Sequence, residues 1–523
     1  MLLRKLLSGS MSTRRVIHLR FISSKQSENI VIFCNHLGIS KEKAEYIQIK
    51  QPYLKKINEE EIKNLINAVY EIGYPKDVLV EHSHLFSMLP ITIINRYKIL
   101  EECGCQKIKP DQLLSYLTIM KQKTIGELKK ADILPSMLNI ENKLASCMTQ
   151  WPTSLTSIIY EDVNLITLYS LRIKIIQRYL ELMLDLSNEE FYRGLKTYPT
   201  IKHRPLKAIN ETLVILQSQL AIPNYKIKSN LYLIHVDPDN LKKILYDIRT
   251  LGGIDVKEVI RMYPKIATKN YSALIEMSKV LEKHGLKPEA QARCLEIFTL
   301  SPKTVDERIE HAKTTPEFSI YINHPRFLKM IYFNKTVLKR ITVLRNNNKK
   351  CLSLNILSGS SARYELFEKS PGDRLGKGKD LVFTIGQLLE NKYSKKEIRN
   401  VIRKHPFWIN IPLIEVKYVY DKLSKQFSQQ DIFENCVILL YPWYKINEAL
   451  EIINGASSIN IENYLKEHIN FSSLSMSQKL SLVLYIVEKK HYFSGNGVWT
   501  EEQQKKNIAH LSESKAKDVL QII

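Results

Sequence analysis

The sequence is poor in the patterns that mark several common protein classes. Glycine is scarce, with 17 among 523 residues, and long strand-like alternation of apolar and polar residues is absent, which argues against a β-sandwich or barrel. No apolar run approaches the roughly 18–20 residues that a membrane-spanning helix needs. The remaining composition, 44% hydrophobic and 25% charged residues, is ordinary for a globular protein. These features favour an all-α fold.

The seven cysteines show no metal-binding pattern. They include no Cys-x-x-Cys pair and no histidine at a zinc-ligand spacing, and only Cys103 and Cys105 lie close together, so a structural zinc site is not indicated. Free, buried thiols in a reducing compartment are the favoured interpretation. No nucleophile motif or paired acid and base stands out, so we predict no enzyme activity, no metal and no cofactor.

The first 27 residues differ in composition from the rest of the chain. They contain six Arg and Lys residues and several serines, and no acidic residue precedes Glu28. An amphipathic segment that is rich in arginine and serine and poor in acids is typical of a mitochondrial transit peptide. We therefore predict a transit peptide over about residues 1–27 and a location in the mitochondrial matrix. The alternative is a disordered basic tail.

A short helical pattern that ends in proline recurs along the chain. Val259 to Pro264 and Val401 to Pro406 place apolar residues at the spacing of one helix face, and the proline then ends the helix. Apolar residues precede further prolines in the same way: Pro90, Pro152, Pro199, Pro238, Pro302, Pro325, Pro371 and Pro442. The steps 264 to 302, 371 to 406 and 406 to 442 are 38, 35 and 36 residues. This recurrence predicts an array of helix-turn-helix repeats.

Positive charge is concentrated in one part of the chain. The formal net charge is +23, and residues 326–405 alone hold 19 basic and six acidic residues, a net of +13. Charge concentrated on an extended surface attracts a polyanion. Arg261 and Arg403 both lie three residues before a repeat proline, so we expect one cation per repeat along a groove. The predicted nucleic-acid contacts are Arg261, Arg326, Lys339, Arg340, Arg345, Lys377, Lys379, Arg399, Arg403 and Lys404.

The stretch 345–380 is predicted to be a loop-rich joint, because it combines runs of asparagine, serine and glycine with Pro371-Gly372-Asp373. Its segment from Leu375 to Lys379 reads Leu-Gly-Lys-Gly-Lys. It lacks the Gly-x4-Gly-Lys-Ser/Thr spacing of a phosphate loop, and no strand precedes it, so nucleotide binding is not predicted. We expect a basic loop that approaches a nucleic-acid backbone.

The repeated units, together with the basic charge and the mitochondrial presequence, resemble the mitochondrial transcription termination factor (mTERF) family. The best-matching units run from Leu251 to Pro302 and from Leu375 to Pro442, and weaker matches reach back to about Pro90. The resemblance implies an all-α, right-handed-type α-solenoid of helix-turn-helix repeats with short 3₁₀ turns, curved into a half-doughnut. The predicted domains are a transit peptide (1–27), an N-terminal helical region (28–74), mTERF-like repeats (75–490, with the joint near 345–380) and a C-terminal tail (491–523).

The resemblance implies binding of mitochondrial nucleic acid by a concave basic face. Family members bind duplex DNA and stop or regulate transcription, or bind ribosomal RNA and assist ribosome assembly. The favoured hypothesis is a binder of duplex mitochondrial DNA that regulates or terminates transcription, with other mitochondrial transcription factors as further partners. The alternatives are a ribosomal-RNA-binding assembly factor and a helical-repeat RNA reader. Charge does not choose between DNA and RNA, since both present phosphates.

Overall fold

The structure is a computed structural model that describes residues 30–148, 162–454 and 473–489. Within these residues the regular secondary structure is helical apart from one short antiparallel hairpin, Thr250–Leu251 paired with Ile254–Asp255, and one isolated bridge between Thr124 and Thr167. The predicted all-α helical-repeat fold is therefore confirmed. The chain divides into two compact units, Met1–Tyr246 and Asp247–Ile523. The predicted transit peptide, Pro152 and the predicted tail 491–523 lie outside the described residues.

The first unit alternates α-helices with short 3₁₀ helices. Its α-helices are 30–37, Lys41–Lys50, Glu59–Glu71, Asp77–Glu81, Pro90–Glu102, Pro110–Leu114, Tyr116–Lys121, Ile125–Lys130, Ile140–Ala145, Leu168–Leu184, Asn188–Thr197, Leu206–Val214, Asn224–Ser229 and Pro238–Asp247, which reaches the boundary. Its 3₁₀ helices are Pro52–Lys56, Ser83–Ser87, Val163–Leu165, Pro199–His203 and Leu231–His235, and Ile215–Gln219 forms a π-helical turn.

The second unit repeats this alternation after the hairpin. Its α-helices are Val256–Met262, Tyr271–Lys283, Pro288–Ala292, Pro302–Thr314, Pro316–Ser319, Phe327–Tyr332, Asn334–Asn346, Leu354–Leu357, Ser361–Lys369, Lys379–Leu388, Lys395–Ile402, Leu413–Leu423, Gln429–Glu434, Trp443–Ile453 and Met476–Lys489. Its 3₁₀ helices are Pro264–Thr268, Leu295–Thr299, Trp408–Asn410 and Cys436–Leu440. The stretch 345–380 thus holds two helices between its loops.

Each complete repeat consists of a longer helix, a shorter helix and a five-residue 3₁₀ helix. Successive 3₁₀ helices begin at residues 199, 231, 264 and 295, which gives spacings of 32, 33 and 31 residues. The third residue of each, Ile201, Leu233, Ile266 or Ile297, is buried, and in the last three helices the fourth residue is buried as well. The apolar residues that precede a repeat proline in the sequence therefore often lie in a 3₁₀ helix. Burial of these residues packs one repeat on the next.

The repeat prolines occupy two different places in the unit. Pro199 and Pro264 begin 3₁₀ helices, whereas Pro90, Pro238 and Pro302 begin the α-helix that follows one. Both places suit proline, because the first residue of a helix has no intrahelical use for its N–H group. The spacing of 35–38 residues read from the sequence is therefore wrong as a repeat length. The step from Pro264 to Pro302 is longer than one repeat, because it runs from a proline that begins a 3₁₀ helix to a proline that begins an α-helix.

Candidate nucleic-acid interface

The helix Lys395–Ile402 carries a row of cations on one side. Lys395, Lys396 and Arg399 are exposed, and so is Arg403, the residue that ends the helix. At 100° per residue these four positions fall within an arc of about 100°, beside the side that buries Ile398. We call these four residues the cationic stripe. Arg399 and Arg403 are among the predicted contacts, whereas Lys395 and Lys396 are not, although their spacing from Arg399 already placed them on this side.

The one acidic residue of this helix is engaged at its start. Ser394 accepts the backbone N–H of Glu397 at 3.2 Å, and the Glu397 carboxylate accepts the N–H of Ser394 at 2.8 Å, which forms a capping box. Hydrogen bonding from Ser394 holds the pKa of Glu397 below its usual value. Within the described part of the chain, no carboxylate lies at ion-pair distance from the stripe. The four charges are therefore exposed and not neutralised by an acidic neighbour there.

The turn after the helix is anchored by a buried histidine. His405 is 4% exposed, its Nδ1 accepts the backbone N–H of Phe407 at 3.2 Å, and its ring meets the ring of Tyr441 edge-on at 5.1 Å. The Tyr441 hydroxyl donates to Glu488 at 2.8 Å, on the helix Met476–Lys489. This chain of contacts fixes the turn, and with it the exposed Lys404 that precedes His405.

Three buried or half-buried histidines predict a loss of stability in mild acid. Burial lowers the pKa of His203, His235 and His405 to about 4, from an ordinary 6.5. Between these values the unfolded chain takes up protons that the folded chain does not, so the free energy of unfolding falls as the pH drops from 6.5 to 4. We expect the urea midpoint to fall over this range, and to fall less in His405→Gln. An unchanged slope in His405→Gln would contradict the assignment.

The glycine-rich segment packs against the same turn. A side chain at Gly378 would place its Cβ 2.4 Å from the Trp408 ring, and the backbone N–H of Leu375 donates to the Ile409 carbonyl at 2.6 Å. The segment therefore lies directly on the 3₁₀ helix Trp408–Asn410. The exposed Lys377 and Lys379 flank Gly378, so both come close to the turn that the cationic stripe leads into.

A second histidine joins Arg326 to this region. The Nδ1 atom of His324 accepts the backbone N–H of Arg326 at 3.1 Å, and its ring meets the Phe383 ring at 4.6 Å. The Nε2 atom of His324 lies 3.7 Å from the carboxylate of Asp380, the residue that follows Lys379 in the chain. Burial lowers the pKa of His324, and Arg326 and Lys395 lower it further against the opposing effect of Asp380. The exposed Arg326 thus lies near both Lys379 and the start of the stripe.

Asp380 is the buried centre of this joint. It is 1% exposed and accepts hydrogen bonds from the Ser353 hydroxyl at 2.5 Å and from the Leu354 N–H at 3.1 Å. Its carboxylate therefore holds the start of the helix Leu354–Leu357 against the helix Lys379–Leu388. This arrangement gathers a set of exposed cations, which we call the cation cluster. Its members are Arg326, Lys377, Lys379, Lys395, Lys396, Arg399, Arg403 and Lys404.

The structure contradicts the prediction for Arg340. This residue is 8% exposed, and its Nη1 donates to the carbonyl oxygens of Leu357 and Gly359, each at 2.8 Å. Its guanidinium carbon lies 4.7 Å from the ring centre of Tyr364. Arg340 is thus a buried group that fixes the loop after the helix Leu354–Leu357, and it is not available to a phosphate.

The three remaining predicted contacts are exposed or half-buried, and nothing described connects them to the cation cluster. Arg261 pairs with Glu258 and Arg345 pairs with Glu317, so part of each charge is already neutralised. Lys339 is exposed on the helix Asn334–Asn346. Arg261 and Arg403 were expected to be equivalent cations of two repeats, but their surroundings differ. In the described residues, only Arg261 has an acidic neighbour at contact distance.

Arg340 should matter for stability and not for binding. Arg340→Met removes its hydrogen bonds and leaves buried carbonyl groups unpaired, so we expect a loss of about 2–4 kcal/mol in the free energy of unfolding. Urea unfolding followed by circular dichroism measures this loss. The affinity for nucleic acid should stay within about twofold below the transition. A large loss of affinity in a fully folded Arg340→Met variant would contradict the structural role.

In residues 30–148, 162–454 and 473–489, no helix is long and apolar enough to cross a membrane. In the same residues, no group of three or more His, Cys, Asp or Glu side chains is arranged to hold a metal ion.

The fold and the cation cluster define an all-α helical-repeat protein with a concentrated basic surface. The chain is 28% identical over 456 residues to the protein named "Transcription termination factor 5, mitochondrial" of Drosophila melanogaster. The aligned region covers 87% of this chain and 80% of that protein. This similarity agrees with the resemblance of the repeated units to the mitochondrial transcription termination factor family. No protein-family model matches the chain, and no solved structure matches it.

Proposed function

We propose that this protein binds nucleic acid in the mitochondrial matrix through the cation cluster, and that its target is duplex DNA whose transcription it regulates or terminates. The observation that carries the proposal is the set of exposed cations around the His405 turn, with no carboxylate at ion-pair distance within the described residues. Lysine and arginine contacts to phosphates supply most of the affinity of such interfaces, and they release bound counterions.

The name of the Drosophila melanogaster relative supports the cellular setting. That protein is called a mitochondrial transcription termination factor, and the Arg-rich, Ser-rich first 27 residues of this chain fit import into the same organelle. The choice of duplex DNA over RNA rests on that name, because the cations themselves would accept either phosphate backbone.

Crosslinking and immunoprecipitation from mitochondria, with the recovered DNA and RNA sequenced in parallel, test the proposal. Discrete peaks on mitochondrial DNA at gene boundaries, with little RNA, are the expected result. Peaks on ribosomal RNA with none on DNA would overturn the DNA assignment in favour of ribosome assembly. Recovery of neither nucleic acid above background would mean that the cation cluster meets an acidic protein.

A further inference from the structure

The first unit carries an open apolar groove, which we call the N-terminal groove. Its walls come from the helix Glu59–Glu71 and from the segments around the 3₁₀ helices Pro52–Lys56 and Ser83–Ser87, and its volume is about 630 Å³. The apolar side chains that line it are Tyr53, Ile57, Leu65, Phe86, Met88 and Leu89. Tyr53 is 41% exposed and Leu89 is 69% exposed, so part of this lining faces water. An exposed apolar surface of this kind is typical of a docking site.

The rim of the N-terminal groove is acidic, although the chain as a whole is basic. Residues 57–90 hold six acidic and two basic residues, a net of −4 in a chain of net +23. Glu61 lines the groove, and the exposed Glu60 precedes it. No cation of the described residues lies at ion-pair distance from either carboxylate. Such a rim repels a phosphate backbone and attracts a cationic segment.

The chain enters the described structure beside this groove. Its first described helix, 30–37, carries Phe33, which is fully buried and whose ring centre lies 5.5 Å from that of Phe86. Phe86 in turn lines the groove. An extended chain covers up to about 3.5 Å per residue, so the ten or so residues before this helix can span roughly 35 Å. Residues 1–27 are therefore tethered within reach of the groove.

Residues 1–27 have the chemistry that complements the groove. They hold six cations and no acidic residue. Their apolar residues fall in two groups, Leu2 to Leu7 and Val16 to Phe21, and each group contains at least one arginine. Apolar side chains can thus fill the groove while neighbouring cations meet its rim. A tether of this kind gives a local concentration on the order of millimolar, so even a modest affinity keeps the groove occupied.

We propose that residues 1–27 occupy the N-terminal groove of their own chain. Their apolar side chains lie against Tyr53 and Leu89, and their arginine and lysine residues lie beside Glu60 and Glu61. Removal of the predicted transit peptide uncovers the groove, so the mature chain presents an apolar surface that the precursor covers. The inference is independent of the proposed function, because the groove is acidic and the cation cluster takes no part in it.

Photocrosslinking in the full chain tests the proposal. Replacing Tyr53 by p-benzoylphenylalanine keeps an aromatic ring in the groove and adds a group that reacts with nearby C–H bonds on irradiation. Mass spectrometry of the digested protein should then find position 53 joined to residues 1–27 within one chain. The same replacement of Tyr225, which is 67% exposed in the same unit, is the control and should give at most one fifth of that product.

A variant of the groove that should fold well disrupts its apolar lining. Leu89 is the N-cap residue of the helix Pro90–Glu102 and makes no side-chain hydrogen bond there. Aspartate is among the preferred N-cap residues, so Leu89→Asp should keep the fold. The charge that it places in the groove opposes burial of apolar side chains and should lower the yield of the crosslink at least about fivefold. Leu366→Asp, at a leucine that is 75% exposed in the second unit, should leave the yield unchanged.

A second variant tests the acidic rim. Glu60→Gln with Glu61→Gln removes two charges, and glutamine at position 61 can still close the capping box with Asn58. The yield should fall by about two- to fivefold near 0.15 M salt, since each exposed charge pair contributes modestly. Glu289→Gln with Glu365→Gln removes two exposed acids of the second unit and should have no effect.

Crosslinks from position 53 to residues 1–27 that Leu89→Asp suppresses would support the inference. The absence of this product, an equal yield from position 225, or a yield that Leu89→Asp leaves unchanged would overturn it. A product of twice the chain mass, with position 53 joined to a second copy, would also overturn it, because the groove would then serve self-association. Retained helicity by circular dichroism in each variant shows that a lost crosslink reflects the groove and not unfolding.

Discussion

Replacing Glu102 by alanine should lower the free energy of unfolding of the first unit by about 3–5 kcal/mol, the usual result of removing one partner from a buried ion pair. Glu102 is 4% exposed and accepts Nη1 of Arg172 at 3.1 Å. It also accepts the N–H groups of Leu206 and Lys207, at 2.8 and 2.9 Å. Without Glu102, the charge of Arg172 stays buried with no counterion.

The same carboxylate substitutes for a missing helix cap. The helix Leu206–Val214 follows Pro205, which has no side chain that can accept a hydrogen bond from the first turn. Glu102 fills this role from a helix more than one hundred residues earlier in the chain. Arg172 extends the network, because its Nη2 donates to the Arg204 carbonyl at 2.7 Å. One substitution therefore loosens three segments of the first unit.

Urea unfolding measures the loss, and hydrogen exchange in the helix Leu206–Val214 assigns it to the first unit. Glu71→Ala is the control, because it removes an exposed pair with Lys98 at 3.0 Å and should cost less than about 1 kcal/mol. The double variant Glu102→Gln with Arg172→Met should regain part of the stability, since it removes both charges. A Glu102→Ala variant no less stable than Glu71→Ala would contradict the role given to Glu102.

The sequence revealed the existence of repeats but not their length. Apolar pairs such as Ile297 with Phe298 are buried in a 3₁₀ helix, whereas their spacing before a proline had indicated the end of an α-helix. A five-residue 3₁₀ helix is too short to impose a period of its own, so its buried pair looks the same in sequence as the end of an α-helix. The two places of proline in the unit could be separated only once the 3₁₀ helices were visible.

The sequence predicted that the candidate interface is basic, but not which of its cations are exposed. A count of charges treats Arg340 and Arg399 alike, but Arg340 is buried by carbonyl groups 17 and 19 residues later. Those partners belong to an irregular loop, for which the sequence offers no periodic signal. The network of Glu102 and Arg172 was missed for a related reason, since its members lie 70 residues apart in the chain.

Reversing the charge of Arg399, Arg403 and Lys404 to glutamate should reduce affinity for nucleic acid by on the order of 100-fold or more near physiological salt. The triple variant removes three attractive charges from the cation cluster and adds three repulsive ones beside the phosphates. Its log-log salt slope should be shallower by about 2–3, because roughly one counterion is released per phosphate contact. Helicity should be retained, since all three side chains are exposed.

A second triple variant separates local contacts from overall charge. Lys279, Lys303 and Lys425 are exposed cations of the same unit outside residues 326–405, and their reversal to glutamate changes the net charge by the same amount. If the cation cluster contacts the phosphates, this control should lose less than about fivefold in affinity, because it leaves every cation of the cluster in place. Equal losses in the two variants would mean that net charge alone attracts the ligand. Wild-type affinity in the Arg399, Arg403 and Lys404 variant would place the interface elsewhere on the protein.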